Sequence, residues 1–182
     1  VIVTYNRIEE LKKSLMCYEN QTKKPEYIIV TDNCSTDGTG EFLEGWKSEQ
    51  GVCERYVISL DENLGGAGGF YYGMQMAQEM ESADWVWVAD DDAFPEQNAL
   101  EMAESFSDNH PEEMQMAAAL CGMCEYEGRI ASVQRNRFVK TIFGTQDMPV
   151  PKSEFSKEYF YIDLYSFVGT IIRREVIKKA GL

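Results

Sequence analysis

Four times in the first half of the chain, a short apolar run breaks off into a polar or glycine-rich loop. Residues 1–4 lead into Thr4-Tyr5-Asn6-Arg7, and residues 27–31 into the polar stretch 32–38. Residues 55–60 lead into the glycine-rich stretch 61–69, and residues 85–89 into Asp90-Asp91-Asp92. Between these runs the apolar residues recur with a helical period, as at Ile8, Leu11, Leu15 and Tyr18. Phe42, Leu43 and Trp46 mark a second, short helix, and Phe70, Met74, Ala77 and Met80 a third. Leu100, Ala103 and Phe106 mark a fourth, ending before Asn109-His110-Pro111. Strands alternating with helices through short links predict an α/β fold, a parallel sheet covered on both faces. Ligands of such a sheet gather beyond the carboxyl ends of its strands, where all four loops fall.

The second half changes character. Residues 114–121 read as another strand, and Glu127-Gly128 as a hairpin turn between 124–126 and 129–133. Residues 135–157 mix Arg, Lys, Gly and Pro without periodicity, the pattern of a mobile loop. Residues 159–172 are apolar and aromatic, and 173–180 read as a helix stopped by Gly181. The chain starts without Met inside a strand-like run, so the expectation is one domain cut at both ends. Residues 1–110 would form a Rossmann-like nucleotide-binding half, and 111–182 part of a smaller mixed acceptor half.

A length of 182 residues with 44% hydrophobic and 12% aromatic content suits a packed globular domain. The net charge of −14 argues against nucleic acid as a partner and supplies no polybasic anchor for an anionic membrane. No apolar run reaches the length of a transmembrane segment. The odd count of five cysteines points to reduced thiols in a cytoplasmic protein. Cys121-x-x-Cys124 would need a second ligand pair to close a zinc site, and His110 is the sole histidine.

The chemistry concentrates in the four loops. Three adjacent aspartates repel one another, and a divalent Mg²⁺ or Mn²⁺ would offset their charge. The alternative is a solvated acidic turn that caps a helix opened by Pro95 and Glu96. Asp32 and Asn33 pair a carboxylate with an amide, as a base edge requires, while Ser35, Thr36 and Asp37 suit a turn and helix cap. Arg7 offers a cation to a base or phosphate, or a salt-bridge partner on a helix face. Glycines 65, 66, 68 and 69 would precede a helix whose amides face an anion. Neither a Walker loop nor Gly-x-Gly-x-x-Gly is present. Trp85 and Trp87, alternating with Val86 and Val88, read as core packing.

Together these segments resemble a family-2 glycosyltransferase with the GT-A fold, over essentially the whole chain. The marks are Val-Thr-Tyr-Asn-Arg at 3–7, Thr-Asp-Asn-Cys-Ser-Thr-Asp-Gly at 31–38 and Asn-Leu-Gly-Gly-Ala-Gly-Gly-Phe at 63–70. Trp-Val-Ala-Asp-Asp-Asp at 87–92 and Ser-Phe-Val-Gly at 166–169 complete them. The glycine run and the triple aspartate are most similar to the galactofuranosyltransferase and rhamnosyltransferase branch.

The resemblance implies a role for each position. Thr4, Tyr5, Arg7, Asp32 and Asn33 would bind the nucleotide, and Asn63, Gly65 and Gly66 would line the donor pocket. Asp90, Asp91 and Asp92 fall on the family's Asp-x-Asp position, Asp90 reaching ribose and metal and Asp92 the metal at the diphosphate. Phe167, Val168 and Gly169 would face the donor sugar and acceptor, although Gly169 also suits a bulge in a buried strand. Neither Asp163 nor Glu175 matches the family's base, a carboxylate then expected beyond Leu182.

The implied activity is metal-dependent, inverting transfer of galactofuranose or rhamnose from a UDP- or dTDP-linked donor. The acceptor would be a polysaccharide or glycolipid at the cytoplasmic face of a bacterial membrane. A nucleotidylyltransferase would instead want a glycine-rich, basic first loop. A non-catalytic nucleotide-sugar- or glycan-binding module remains the reading from a different class.

Overall fold

A computed structural model describes residues 1–181. In chain order the first half runs β1 (Ile2–Thr4), α1 (Ile8–Glu19), β2 (Tyr27–Asp32), α2 (Thr39–Ser48), β3 (Glu54–Ser59), α3 (Gly65–Glu79), β4 (Trp85–Asp90) and α4 (Ala99–Asn109). The second half runs α5 (Pro111–Met116), β5 (Ala119–Cys121), β6 (Glu125–Tyr126), β7 (Arg129–Ile130), β8 (Arg135–Thr141), β9 (Gly144–Pro149), β10 (Leu164–Tyr165), β11 (Thr170–Arg173) and α6 (Arg174–Ala180).

The main sheet has the order β3-β2-β1-β4-β11-β5. β1 pairs parallel with both β2 and β4, and β2 pairs parallel with β3. β11 runs antiparallel to β4 and to β5, so the sheet is mostly parallel, as the α/β reading expects. The chain winds outward from β1 to β3, then returns across β1 to β4. That reversal opens a crevice at the carboxyl ends of β1 and β4, the usual ligand position in an open α/β sheet.

Alternate strand residues serve two cores, as the two-residue period of a strand requires. Ile2, Ile28 and Val30 face Leu11, Leu15 and Tyr18 of α1 and Leu43 and Trp46 of α2. Val3, Ile29, Val86 and Val88 face Phe70, Met74 and Ala77 of α3 and Ile177 of α6. The expected helical faces of α1 and α3 are thus the buried ones. Leu15 is closed in on all sides, and truncating such a leucine to alanine typically costs about 2–5 kcal/mol. Trp87 packs half-buried against the first core and meets Tyr18 edge-on at 4.9 Å, while the Arg173 guanidinium lies 4.5 Å over Trp85.

Several expectations need correction. Residues 114–121 are not one strand: α5 starts at Pro111, which suits a first helical turn, and only Ala119–Cys121 is extended. Residues 135–157 are not a loop but the antiparallel hairpin β8–β9 followed by a 3₁₀ turn, Lys152–Ser156. Its outer half is exposed on both faces, so the sequence carries no alternation there to betray a strand. The glycines do not precede α3; they form its first turns. Only Gly65 among those four has positive φ, at +70°. A Cβ on Gly69 would collide with Val3, and one on Gly73 with Val1, so these two let α3 lie close on β1.

Candidate functional site

The loops after β1 and β2 are zipped together. Asn6, in the left-handed region at φ +53°, donates its amide to Ser35 Oγ at 2.9 Å and accepts the Thr36 amide on Oδ1 at 2.7 Å. Asparagine tolerates that conformation better than most side chains. Asp37 then accepts from the Ile8 amide at 3.1 Å and from the Thr39 amide and hydroxyl at 3.2 and 2.6 Å. One carboxylate thereby caps the first residues of both α1 and α2. Slight burial works against the charge, but the bonds from Thr39 and Ile8 outweigh it and hold the Asp37 carboxyl below its ordinary value.

The loops after β1 and β4 meet across the crevice through carboxylates. Asp91 is buried and accepts the Thr4 hydroxyl at 2.7 Å. Arg7 donates to Asp92 at 2.6 Å and reaches Asp91 at 3.5 Å. Asp90 is half-buried, with Asp91, Asp92 and Arg7 as the charges that act on it. Burial first, then the neighbouring Asp92 and Asp91, push its carboxyl above the ordinary range. Asp91 is also pushed up, mainly by burial, with Thr4 and Arg7 pulling the other way. Arg7 is held further up in turn by its bond to Asp92 and the charge of Asp91. Among the described residues no three His, Cys, Asp or Glu side chains converge on one metal position. The donor chemistry still fits a hard cation: two flanking carboxylates, one of them under pressure from like charges and partial burial.

Asn33 makes a different contribution from the one its type suggests. Its carboxamide is buried, accepts the Leu64 amide at 2.9 Å and donates to the Gly65 carbonyl at 2.8 Å. Asn63 then accepts the Gly65 amide at 2.8 Å. Asn33 therefore spends its donor and acceptor on seating the start of α3, not on an outward-facing edge. Asp32, buried beside it, accepts the Ser35 amide at 3.0 Å. Gly65 and Gly66 face open space, so a ligand can approach their backbone. Tyr5 is exposed at the mouth of the crevice.

The loop 166–169 is held from below by a residue that sequence reasoning missed. Arg135, at the base of β8, is buried, and its guanidinium donates to the carbonyls of Gln134, Gly122 and Val168 at 2.9, 2.7 and 2.8 Å. It also reaches Cys124 Sγ at 3.1 Å. Phe167 packs edge-on against Phe70 at 4.8 Å, and Gly169 takes φ +62° while its carbonyl accepts the Gly122 amide at 2.8 Å. The signal for Arg135 was faint: one of several basic residues in a stretch with no periodicity. The carboxylate of Asp163 is engaged by the Phe138 amide at 2.8 Å, and Glu175 pairs with Lys179 at 3.5 Å. The base expected beyond Leu182 lies outside the described residues. A shallow depression of about 490 Å³ beside Glu26, Tyr27 and Gly51 sits where β2 and β3 begin, at the other end of the strands from the carboxylates.

Comparison with known proteins bears directly on this arrangement. The model of the family described as "Glycosyl transferase family 2" matches residues 1–181. Galactofuranosyltransferase GlfT1 of Mycobacterium tuberculosis (strain H37Rv) is 45% identical over 94 residues, 50% of this chain and 29% of GlfT1. Abequosyltransferase RfbV of Salmonella typhimurium is 29% identical over 110 residues, 59% of this chain and 32% of RfbV. Among solved structures, S. aureus TarS 1–349 in complex with UDP superposes with a TM-score of 0.67 at 21% identity, covering 99% of this chain and 47% of that one. Mannosyltransferase PcManGT from Pyrobaculum calidifontis, in complex with GDP-Man and Mn²⁺, superposes with a TM-score of 0.61 at 19% identity, covering 99% and 45%. The chain spans under a third of these curated relatives and under half of these solved structures. The fold is the GT-A-like one that the motifs led us to expect.

Proposed function

The chain belongs to glycosyl transferase family 2, and from that premise we propose that it carries the donor site of an inverting, metal-dependent hexosyltransferase of cell-envelope biosynthesis. The donor is a UDP- or dTDP-linked sugar, and the likeness to a galactofuranosyltransferase favours galactofuranose over rhamnose. The acceptor is a polysaccharide or glycolipid at the cytoplasmic face of the membrane. No helix among the described residues is long and apolar enough to cross a bilayer.

The observation that carries this reading is the crevice where Thr4, Arg7, Asp90, Asp91 and Asp92 meet, at the reversal point of the sheet. Asp91 ties the two loops together through Thr4, which leaves Asp90 and Asp92 for the donor. These two would hold Mg²⁺ or Mn²⁺, which when bound stabilises the departing nucleoside diphosphate as a Lewis acid. Arg7 pairs with one carboxylate oxygen of Asp92 at 2.6 Å, and its half-exposed guanidinium would also be in reach of a phosphate or base of the donor. Asp32 and Tyr5 bound the nucleoside, and Asn33 with Asn63 presents the backbone of Gly65 and Gly66 to the donor. Phe167, Val168 and Gly169 border the sugar and acceptor, held in place by Arg135. The acceptor is activated by a carboxylate supplied from beyond Leu182.

Saturation-transfer NMR with UDP and dTDP in Mg²⁺ tests the assignment. The reading expects transfer to the base and ribose protons, lost in Arg7→Ala while the variant stays folded. Equal signals with Arg7→Ala, or none from either nucleotide with the wild type, would count against it.

A further inference from the structure

The hairpin β8–β9 leaves the body of the fold with its most apolar residues outermost. Its base is anchored: Arg135 and Val150 are buried and paired, β10 adds a third strand, and Asp163 accepts the Phe138 amide. Beyond that point nothing among the described residues covers it. Ile142 and Phe143 at the tip are 93% and 85% exposed, and Phe138, Val139 and Met148 behind them are exposed too. Leaving an isoleucine and a phenylalanine in water forgoes the burial that most favours such side chains. The charge is equally distinctive. Residues 129–152 carry five basic side chains and one acidic, Asp147, in a chain whose net charge is −14. Arg135 is buried and Arg137 is paired with Glu154, but Lys140 next to the tip has no ion-pair partner among the described residues.

We propose that this hairpin is a membrane-contacting wedge, with Ile142 and Phe143 entering the interfacial layer of an anionic bilayer and Lys140 meeting lipid phosphates. A tip two residues wide is a poor protein interface, since stable ones bury roughly 1,200–2,000 Å² in total. A lipid interface accepts an apolar point of any shape and rewards a basic flank. The net charge of the chain hides this local balance. β8 spans seven residues, which at ~3.4 Å per residue sets the tip roughly 20 Å from Arg135 and the loop 166–169. The wedge thereby fixes the distance between bilayer and acceptor side, and this purpose rests on the glycolipid acceptor proposed above. The lipid contact itself does not.

Co-sedimentation with sucrose-loaded phosphatidylcholine vesicles, with and without a one-third share of phosphatidylglycerol, tests the wedge. The wild type is expected to sediment with the anionic vesicles, and Ile142→Asp/Phe143→Asp to lose about tenfold or more of that partitioning. Lys140→Glu should weaken it, and added salt should weaken the wild type likewise. Unchanged melting and UDP binding in the tip variants would show that the loss is local. Vesicle binding that survives the double substitution would overturn the proposal, as would a wild type that binds neither vesicle. So would a wild type that self-associates through the tip without binding lipid. A wild type that binds vesicles but no nucleotide would sink the donor-site reading and leave the wedge standing.

Discussion

The loops at the crevice and the loop 166–169 are ordered by opposite means. At the crevice, side chains do most of the holding: Thr4 and Arg7 bond the carboxylates of Asp91 and Asp92, while the Asn6 backbone amide donates to the Ser35 hydroxyl and the Asn6 side chain accepts the Thr36 amide. Much of that binding is charge against charge near solvent, with Arg7 and Asp92 each about half exposed. The loop 166–169 is instead held through its backbone, the Val168 carbonyl by the buried Arg135 guanidinium and the Gly169 carbonyl by the Gly122 amide. The first arrangement can exchange a partner for a ligand at small cost to the fold, because exposed ion pairs contribute only about 0–1 kcal/mol. The second cannot, because removing a buried donor strands several acceptors at once.

The contrast is sharpest in a pair of substitutions. Arg135→Ala should cost about 3–5 kcal/mol in urea unfolding, since Gly122, Gln134 and Val168 lose their donor together. Arg7→Ala should change stability by less than about 1 kcal/mol yet weaken nucleotide binding severely. Equal losses of stability in the two would erase the distinction. Asn33→Ala comes next: freeing Leu64 and the Gly65 carbonyl should cost about 1–3 kcal/mol and weaken donor affinity together. An intact affinity in that variant would remove Gly65 and Gly66 from the donor site. Asp37→Ala should cost about 0.5–2 kcal/mol, the range of a lost helix cap, with no direct effect on metal affinity.

The smallest effect has the most telling sign. Asp90 and Asp91 have carboxyls raised by burial and neighbouring charge, so the folded state holds their protons more tightly than the unfolded chain does. Their contribution favours folding below the usual carboxylate range and is lost as pH rises through the raised values. Asp90→Asn should therefore raise the neutral-pH Tm slightly, by about 2–4 °C for each kcal/mol relieved, and the gain should vanish in acid. Nucleotide binding with metal should fall in the same variant. A lower Tm at neutral pH would mean that Asp90 is a structural partner and not a strained ligand.

The first half was largely legible because α1 to α3 each bury one face and the central strands bury both. Leu11, Leu15 and Tyr18 repeat with the helix, and Ile28, Ile29 and Val30 divide between two cores. The polar strand ends were legible for the same reason, as abrupt departures from those patterns. Their internal use was less so. Asn33 faces inward to Leu64 and Gly65, a contact that depends on how β2 and α3 pack and leaves no local trace. Gly69 and Gly73 belong to helix packing on β1, which a glycine-rich stretch resembles as readily as an anion cradle. The second half was opaque because the outer half of the β8–β9 hairpin is exposed on both faces and Arg135 takes its partners from residues 122, 134 and 168. Composition misled in one respect: a net charge of −14 conceals the basic stretch 129–152.

The role proposed for Asp90 and Asp92 is to hold a nucleoside diphosphate through a divalent cation. Calorimetric titration of UDP with Mn²⁺, and again with EDTA, on wild type and Asp92→Ala tests it most directly. The account predicts binding by the wild type that needs Mn²⁺ and disappears in Asp92→Ala. Binding of equal strength in EDTA, or in the folded Asp92→Ala protein with Mn²⁺, would contradict it.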